Sequence, residues 1–460
     1  MNHDDLRHWS KQAADWAHDY HASLRDLPVR APLVPGAIAS QLPSSPPETA
    51  EDMAQIWADF ERIIPPGMTH WQHPRFFAYF PANAAPASML AEQLANAMAA
   101  QGMIWQTSPA VTEVEQVMIQ WLRQSLGLPE EFSGTIHDSA TTATLSAVLT
   151  MREVALNFMG NLKGLSGAPR LRIYASAQTH SSVDKSIRIS GIGQDNLVKV
   201  ATDETLSMDP QLLEAAITLD RANGDLPAGV ILCAGGTSVG AFDRIKDCID
   251  VAHAAGLPVH VDAAWAGSAM ICPEFRALWS GIEAADSLVF NPHKWLGAQF
   301  DCAVQLLQNP TPQVKTLGLR PSYLETAGKE EVVNFNEWTV PLGRRFRALK
   351  LWFVLRAYGL EGLRTQIRNH VTWAQDLCET LRRVPGVQIT SSPRLSLFTF
   401  ALADDTATER LLTAINDDGR VYLTQTRHNG AYVIRVQVGQ FDCTKADVDM
   451  IATVVKDLMP

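Results

Sequence analysis

The sequence predicts an α/β protein built on a mostly parallel β-sheet, with a helical segment before the sheet and a smaller α+β part after it. Two observations predict this fold class. Between residues 133 and 307, short apolar runs alternate with amphipathic stretches long enough to be crossover helices. After about residue 348, a long helical stretch leads into further strand-like runs.

The amino-terminal segment is predicted to be helical. Apolar residues recur every three or four positions over residues 4–24, and residues 51–64 predict a second helix after a Pro-rich link. The later runs predict strands. Those of the central sheet are LRIYAS (171–176), NLVKVA (196–201), GVILCA (229–234), PVHVDA (258–263), SLVFN (287–291) and CAVQLL (302–307), and those of the carboxy-terminal part are VQITSS, LSLFTFAL, VYLTQT and YVIRVQV.

Composition excludes several classes of partner. Apolar residues make up 46% of the chain and charged residues 19%, which is typical of a soluble globular protein. With 38 basic and 49 acidic residues the net charge is −11, and no basic run predicts binding to nucleic acid or a membrane surface. The six cysteines are scattered, as in a reduced cytosolic protein. The acidic, polar start predicts no signal peptide, so we expect a cytoplasmic protein.

Two polar residues follow neighbouring apolar runs and indicate chemistry. Lys294 lies between His293 and Trp295 at the end of a strand-like run, and Asp262 ends another. Because ligand sites on parallel sheets lie at the carboxyl ends of strands, both side chains are expected at one crevice. Burial and a potentially cationic His293 would lower the lysine pKa below its ordinary ~10.4 and favour a nucleophilic neutral amine.

These residues predict a pyridoxal phosphate site. Lys294 would form a Schiff base with the cofactor aldehyde, and Asp262 would keep its pyridine nitrogen protonated. The alternative is a structural buried ion pair. HWQH at residues 70–73 suggests a metal site, but no carboxylate or cysteine follows at ligand spacing, so we expect no metal.

A phosphate cradle is predicted where residues 139–142, SATT, precede a helix. The backbone N–H groups and hydroxyls at the start of a helix bind anions, although Ser and Thr also cap many helices that bind nothing. His180 follows another strand and is placed to stack on the cofactor ring, or is structural. Gly235, Gly236 and Thr237 follow a further strand, where small residues allow a ligand to approach the backbone, or form a plain turn.

Six segments in order resemble the group II pyridoxal-phosphate decarboxylases, and within them the aromatic-L-amino-acid decarboxylases. These segments are HPRFFAYFP, TSPAVTEVE, YASAQTHSSVDKS, HVDAAWAGSA, NPHKWL and PLGRRFRALKLWFVLRAYG. The similarity extends from about Trp9 to the carboxy terminus. The resemblance implies decarboxylation of an aromatic amino acid to the arylalkylamine, with catalytic roles for Lys294, His180, Tyr323 and Asp262.

The resemblance also implies binding residues. The cofactor would contact Ser139, Ala140, Thr141, His180, Thr237, Asp262, Ala264, Asn291, His293 and Lys294. The substrate would contact Tyr79, Phe80, Pro81, Ala82, Trp105 and Gly343, partly from the neighbouring subunit of a homodimer. Gly343 stands where relatives that prefer histidine or small phenols tend to carry serine, and Ala82 stands where animal enzymes have a threonine. Thr142 likewise replaces the family's usual acid.

The implied fold is that of aspartate aminotransferases, called fold type I, with a mixed seven-stranded sheet. We expect a helical dimerisation segment at residues 1–100, a large cofactor domain at 101–350 and a small domain at 351–460. Tyr323 would protonate Cα, and relatives that form aldehydes look to have phenylalanine there. An aldehyde synthase, an aminotransferase using Arg435 to hold the carboxylate, and a catalytically inactive scaffold remain alternatives.

Overall fold

The computed structural model describes residues 1–319 and 332–459. The chain divides into two compact units. The larger unit contains residues 82–372 and 393–398, and the smaller contains residues 1–81, 373–392 and 399–460. The three-part division by residue ranges that we expected from the sequence stays a prediction.

The larger unit is built on a seven-stranded sheet with strand order β1-β7-β6-β5-β4-β2-β3. Strands β2 to β6 pair in parallel, whereas β7 is antiparallel to both β6 and β1. The predicted mixed, mostly parallel sheet is therefore confirmed. Its strands are β1 (Ser133–His137), β2 (Leu171–Ser176), β3 (Leu197–Val200), β4 (Leu226–Cys233), β5 (Val259–Asp262), β6 (Ser287–Phe290) and β7 (Ala303–Leu307).

Apolar sequence explains why these strands form the core. Every residue of β5, β6 and β7 is buried, as expected for strands covered on both faces. Gly134 allows β1 and β7 to approach closely, because an added Cβ would lie 2.3 Å from the Gln305 carbonyl oxygen.

Helices connect these strands, as the amphipathic stretches predicted. The described helices of the larger unit are α3 (Pro86–Met98), α4 (Pro109–Leu126), α5 (Ala140–Ala155), α6 (Gly160–Lys163), α7 (Ser181–Ile189), α8 (Pro210–Ala222), α9 (Ile245–Ala254), α10 (Pro292–Trp295) and α11 (Thr311–Leu317). The helical stretch α12 (Arg347–Arg382) continues into the smaller unit and is interrupted at Gly359, whose φ of 63° and ψ of 167° are not helical.

The smaller unit contains α1 (His3–Ser23), α2 (Met53–Ile63), α13 (Asp405–Asp418) and α14 (Lys445–Leu458). A second sheet has the order β10-β11-β9-β8, with bounds β8 (Gln388–Arg394), β9 (Leu397–Ala401), β10 (Thr424–His428) and β11 (Ala431–Gln437). Asn2 and Asp5 form a capping box that starts α1. Within the described ranges, no helix combines the length and the hydropathy needed to span a membrane.

A buried ion pair holds the end of β1. Arg344 Nη2 lies 2.6 Å from Glu115 Oε1, and the two side chains are 2% and 0% exposed. The same Glu115 oxygen accepts hydrogen bonds from Thr135 Oγ1 and from the Ile136 N–H, and Arg344 also donates to the Ile136 carbonyl. Ile136 lies three residues before Ser139. The ion pair therefore fixes the position of the end of β1, and with it the start of the predicted phosphate cradle.

We predict that Glu115→Ala destabilises the protein strongly. Arg344 would lose its counter-ion while staying buried, which costs about 3–5 kcal/mol. Urea unfolding measures this change, with Glu214→Ala as the control because Glu214 is exposed on α8. The control should change the free energy of unfolding by about 0.5 kcal/mol or less. Equal stability of the two variants would contradict the structural role of the pair.

Candidate active site

One cavity in the larger unit lies at the sheet edge where β1, β2, β4, β5 and β6 end. All five strands run in the same direction, so their carboxyl ends face this edge. The cavity contains all ten residues that we expected to contact a cofactor. Its lining is Ser139, Ala140, Thr141, His180, Cys233, Gly235, Gly236, Thr237, Asp262, Ala264, Trp265, Asn291, His293, Lys294 and Phe300.

Main-chain hydrogen bonds continue between the chain segments beyond the strand ends. The Ala234 N–H donates to the Asp262 carbonyl at 2.9 Å, and the Asn291 N–H donates to the Ala264 carbonyl at 2.8 Å. The loops after β4, β5 and β6 are therefore held in register with one another. This register sets the spacing between Asp262 and the turn that carries Lys294.

Lys294 lies in the short helical turn α10 and is half-buried. Its N–H donates to the Asn291 carbonyl at 2.9 Å. Asn83 contacts the same turn from the other side: its N–H donates to the His293 carbonyl at 2.8 Å, and its side-chain amide donates to the Lys294 carbonyl. Hydrogen bonds thus fix three main-chain atoms of the turn: the Lys294 nitrogen and the carbonyl oxygens of His293 and Lys294.

Asp262 is the buried carboxylate of the cavity, with 6% of its surface exposed. Its Oδ1 accepts a hydrogen bond from the Ala264 N–H at 3.1 Å. One carboxylate oxygen is therefore oriented by the backbone. A buried carboxylate needs a charged or donating partner, and a protonated pyridine nitrogen would supply both.

His293 is neutral, which corrects the expectation that it is cationic. Burial, and next the positive charge of Lys294, lower its pKa to about 3. Its Nδ1 accepts a hydrogen bond from the Cys302 N–H at 2.9 Å. A nitrogen that accepts this bond has no proton, so Nε2 has the ring proton and is a donor.

His180 forms the N-cap of α7, and its Nδ1 accepts from the Ser182 N–H at 3.1 Å. Burial lowers the pKa of His180, and the positive charge of Lys294 lowers it as well, while Asp262 raises it. The expectation that His180 lies at the same sheet edge as Asp262 and Lys294 agrees with the cavity lining.

The predicted phosphate cradle is the start of α5. Ser139 is the N-cap, and its Oγ accepts from the Thr142 N–H at 3.2 Å. The first N–H groups of a helix have no intrahelical partner, and this end of the 16-residue helix is its positive pole. Asn291 adds a side chain that is 4% exposed and whose Oδ1 has no hydrogen-bond partner among the described residues.

These features fit pyridoxal phosphate. A half-buried amine, a buried carboxylate and a helix start lie on one cavity, matching the aldehyde, pyridine nitrogen and phosphate of that cofactor. The oxygen and nitrogen of a side-chain amide are told apart by their hydrogen bonds. Because Asn291 Oδ1 has no partner among the described residues, the amide nitrogen can equally occupy that position and donate to a phosphate.

The turn after β4 requires glycine at position 235. Gly235 has a φ of +91°, and an added Cβ would lie 2.4 Å from the Ala266 Cβ. The backbone can therefore approach the cavity beside Thr237, which is exposed.

The predicted substrate residues are divided between the two units, whereas the predicted cofactor residues all lie in the larger one. Tyr79, Phe80 and Pro81 belong to the smaller unit, where Tyr79 is 49% exposed and Phe80 is buried. Ala82, Trp105 and Gly343 belong to the larger unit but are not among the described residues that line the cavity. Their roles stay predictions. Tyr323 lies outside the described residues.

Arg435 was considered above as the residue that could hold the carboxylate in an aminotransferase, and that role stays a prediction. It is 3% exposed in the smaller unit, and it donates to the Tyr79 carbonyl at 2.6 Å. Burial lowers its pKa to about 10. Tyr79 has a φ of 49°, so this hydrogen bond supports a left-handed backbone in the segment predicted to meet the substrate.

The sequence did not identify several cavity residues. Cys233, Trp265 and Phe300 line the cavity, and Asn83 contacts Lys294 through hydrogen bonds. Cys233 is the last residue of β4, and Trp265 follows Asp262 by three residues, so their positions next to strand ends were available signals. Asn83 lies 211 residues before Lys294, and no local pattern predicts their contact.

Comparison with known proteins identifies the family. Residues 35–403 match the model of the pyridoxal-dependent decarboxylase conserved domain. Aromatic-L-amino-acid decarboxylase of Sus scrofa is 37% identical over 95% of this chain and 93% of its own. Phenylacetaldehyde synthase of Arabidopsis thaliana is 35% identical over 95% of this chain and 92% of its own.

Solved structures agree with these sequence matches. The crystal structure of Oryza sativa TDC with PLP and tryptamine is 32% identical and superposes with a TM-score of 0.96, covering 100% of this chain and 99% of that one. The fold, the cavity and these relatives together show that the chain belongs to the pyridoxal-dependent decarboxylase family and is a carboxy-lyase with pyridoxal phosphate as its cofactor.

Proposed function

We propose that this protein decarboxylates an aromatic L-amino acid to the arylalkylamine and CO2. The candidate substrates are phenylalanine, tyrosine, dopa, tryptophan and 5-hydroxytryptophan. The observation that carries the proposal is the convergence of Lys294, Asp262, His180 and the start of α5 on one cavity. The names of the relatives support the aromatic class, since they include an aromatic-L-amino-acid decarboxylase and a structure with bound tryptamine.

Each residue has a task that follows from its position. When bound, pyridoxal phosphate supplies an electron sink for the pair that stays on Cα when CO2 leaves. Lys294 would hold the cofactor aldehyde through its amine, and Asp262 would keep a proton on the pyridine nitrogen. The start of α5 and the side chains of Asn291 and His293 would bind the phosphate. The site must orient the carboxylate so that the correct bond breaks, and must then protonate Cα. We assign the protonation to Tyr323 together with His180.

Substrate selection depends on the six residues carried over from the family resemblance. An added Cβ at Gly343 would lie 3.5 Å from Gln101 Nε2, which is an ordinary van der Waals contact. In the family that the sequence resembles, glycine at this position leaves room for a catechol or indole ring. This favours catechol and indole substrates over small ones.

Self-association is part of the proposal. Leu90, Leu94 and Met98 recur every four residues on α3 and are 51%, 44% and 57% exposed. Side chains four apart lie on one helix face, so this is an apolar stripe. We assign it to a homodimer, in which the neighbouring subunit supplies part of the substrate pocket.

Asn83 positions the catalytic lysine. It is 1% exposed, and its side-chain amide donates to the carbonyl of Lys294 itself. Removal of this donor leaves a main-chain acceptor without that bond in a buried place, which costs about 1–3 kcal/mol. The turn that carries the reactive amine would then be less well fixed.

We predict that Asn83→Ala lowers kcat and pyridoxal phosphate affinity by about tenfold, the equivalent of about 1.4 kcal/mol. Steady-state kinetics and cofactor titration by absorbance measure the two quantities. Asn223→Ala is the matched control, because Asn223 is exposed at the end of α8. Wild-type values in Asn83→Ala would show that the turn does not depend on this side chain.

The function itself is tested by product analysis. The purified holoenzyme is incubated with each of the five amino acids, and amine, CO2, ammonia and hydrogen peroxide are measured, with Lys294→Ala as the inactive control. We expect amine and CO2 in equal amounts, no peroxide, and the highest kcat/KM for a catechol or indole substrate.

Other products would identify other functions. Aldehyde with ammonia and peroxide would favour an aldehyde synthase, a class to which the Arabidopsis thaliana relative's name belongs. Turnover that depends on a keto acid would favour an aminotransferase. Absence of turnover with all five substrates, or wild-type turnover by Lys294→Ala, would overturn the proposal.

A further inference from the structure

His180 caps a helix with its imidazole ring. It has the extended φ and ψ of an N-cap, −66° and 151°, and α7 begins at the next residue. Ser, Thr, Asp and Asn usually occupy this position, because their side-chain oxygens accept a hydrogen bond from an N–H of the first turn. Here the acceptor is His180 Nδ1, and the donor is the Ser182 N–H at 3.1 Å.

Ser182 places a second group on the same ring nitrogen. Its Oγ lies 2.9 Å from His180 Nδ1, and the residue is 3% exposed. A backbone N–H can only donate, so the nitrogen it faces must be unprotonated. The ring proton of neutral His180 is therefore on Nε2, and the Ser182 hydroxyl donates to Nδ1 as well.

The charges around His180 are compatible with a neutral ring. Among the described residues, two charged groups affect it: Asp262 favours the imidazolium, and Lys294 opposes it. Burial is the largest influence and lowers the pKa of His180. The positive pole of α7 lies at the capped N–H groups and also disfavours a cation on the cap.

His293, which also lines the cavity, is held in the same way. Its Nδ1 accepts from the Cys302 N–H at 2.9 Å, and its pKa is lowered to about 3. Both histidines of the cavity thus use Nδ1 to accept a backbone N–H and keep Nε2–H as a donor. The His180 arrangement differs by having the Ser182 hydroxyl as an additional partner.

We propose that Ser182 is a positioning residue that fixes His180 as the neutral tautomer with its proton on Nε2. The inference rests on the proposed function, because it assigns His180 a protonation state for that reaction. In this state His180 offers the substrate a hydrogen-bond donor. It has no free lone pair with which to remove a proton, so its ground-state role is that of a donor and not of a general base.

The test compares the holoenzymes of Ser182→Ala, Ser182→Thr and Ser181→Ala. Ser181 is the matched control, because it is the exposed neighbour at the first position of α7. In Ser182→Ala the neutral ring loses a donor to Nδ1, so the His180 pKa rises and the acidic limb of kcat/KM against pH moves to higher pH. We expect kcat/KM at pH 6 to fall roughly three- to tenfold, with a change below about twofold at pH 8.

Ser182→Thr keeps the hydroxyl and should restore the wild-type pH profile, and Ser181→Ala should leave it unchanged. A second readout does not need activity. The ¹⁵N spectrum of histidine-labelled protein identifies the protonated nitrogen, and the His180 signal is assigned by its loss in His180→Asn. We expect Nε2–H in the wild type and a larger imidazolium fraction at pH 6 in Ser182→Ala.

Two results would overturn the inference: an Nδ1–H signal for His180 in the wild type, or pH profiles that coincide for Ser182→Ala and wild type. Failure of the proposed function is distinguishable. It would appear as absence of amine from the wild-type protein, while the ¹⁵N spectrum would still report the tautomer.

Discussion

The site depends on main-chain hydrogen bonds that continue past the ends of parallel strands. Residues Cys233, Asp262 and Val289 are paired across β4, β5 and β6, and the bonds from Ala234 to Asp262 and from Asn291 to Ala264 extend this pairing into the loops. Side chains on loops are usually mobile, but these are held by the sheet. The backbone that carries Lys294 and Asp262 is therefore positioned before any ligand contributes.

Burial is the main influence on the protonation state of the two histidines in the cavity. The cavity lining contains one lysine, one aspartate and two histidines. Desolvation lowers the pKa of both histidines, so the charges that a cofactor meets are chiefly those of Lys294, Asp262 and the start of α5. Since each imidazole accepts a backbone N–H at Nδ1, the fold also determines the position of the ring proton. The chemistry thus depends on backbone donors as much as on the side chains.

Sequence alone predicted the sheet because buried parallel strands are short apolar runs, and the runs lie within a few residues of β2 to β7. It also placed His180, Asp262 and Lys294 at one sheet edge, because strand ends in a parallel sheet converge. Contacts of Ala264, Asn291 and His293 with the cofactor were implied by the family resemblance alone. It failed on the charge of His293, because the degree of burial depends on packing from distant segments. Asn83 was missed for a similar reason, since its contact with Lys294 joins residues far apart in the chain. The substrate pocket was predicted less well than the cofactor cavity, because several of the predicted substrate residues are not among the described residues that line this cavity.

We propose Lys294 as the amine that holds pyridoxal phosphate. Borohydride reduction of the holoenzyme, followed by peptide mass spectrometry, tests it directly by making the lysine–cofactor bond permanent. We expect loss of the cofactor's visible absorbance and a single modified peptide containing Lys294. Lys350 is an internal comparison, because it is 1% exposed but paired with Glu92. A cofactor fixed to Lys350 or to any other lysine, or a protein that binds the cofactor with no covalent bond, would contradict the account.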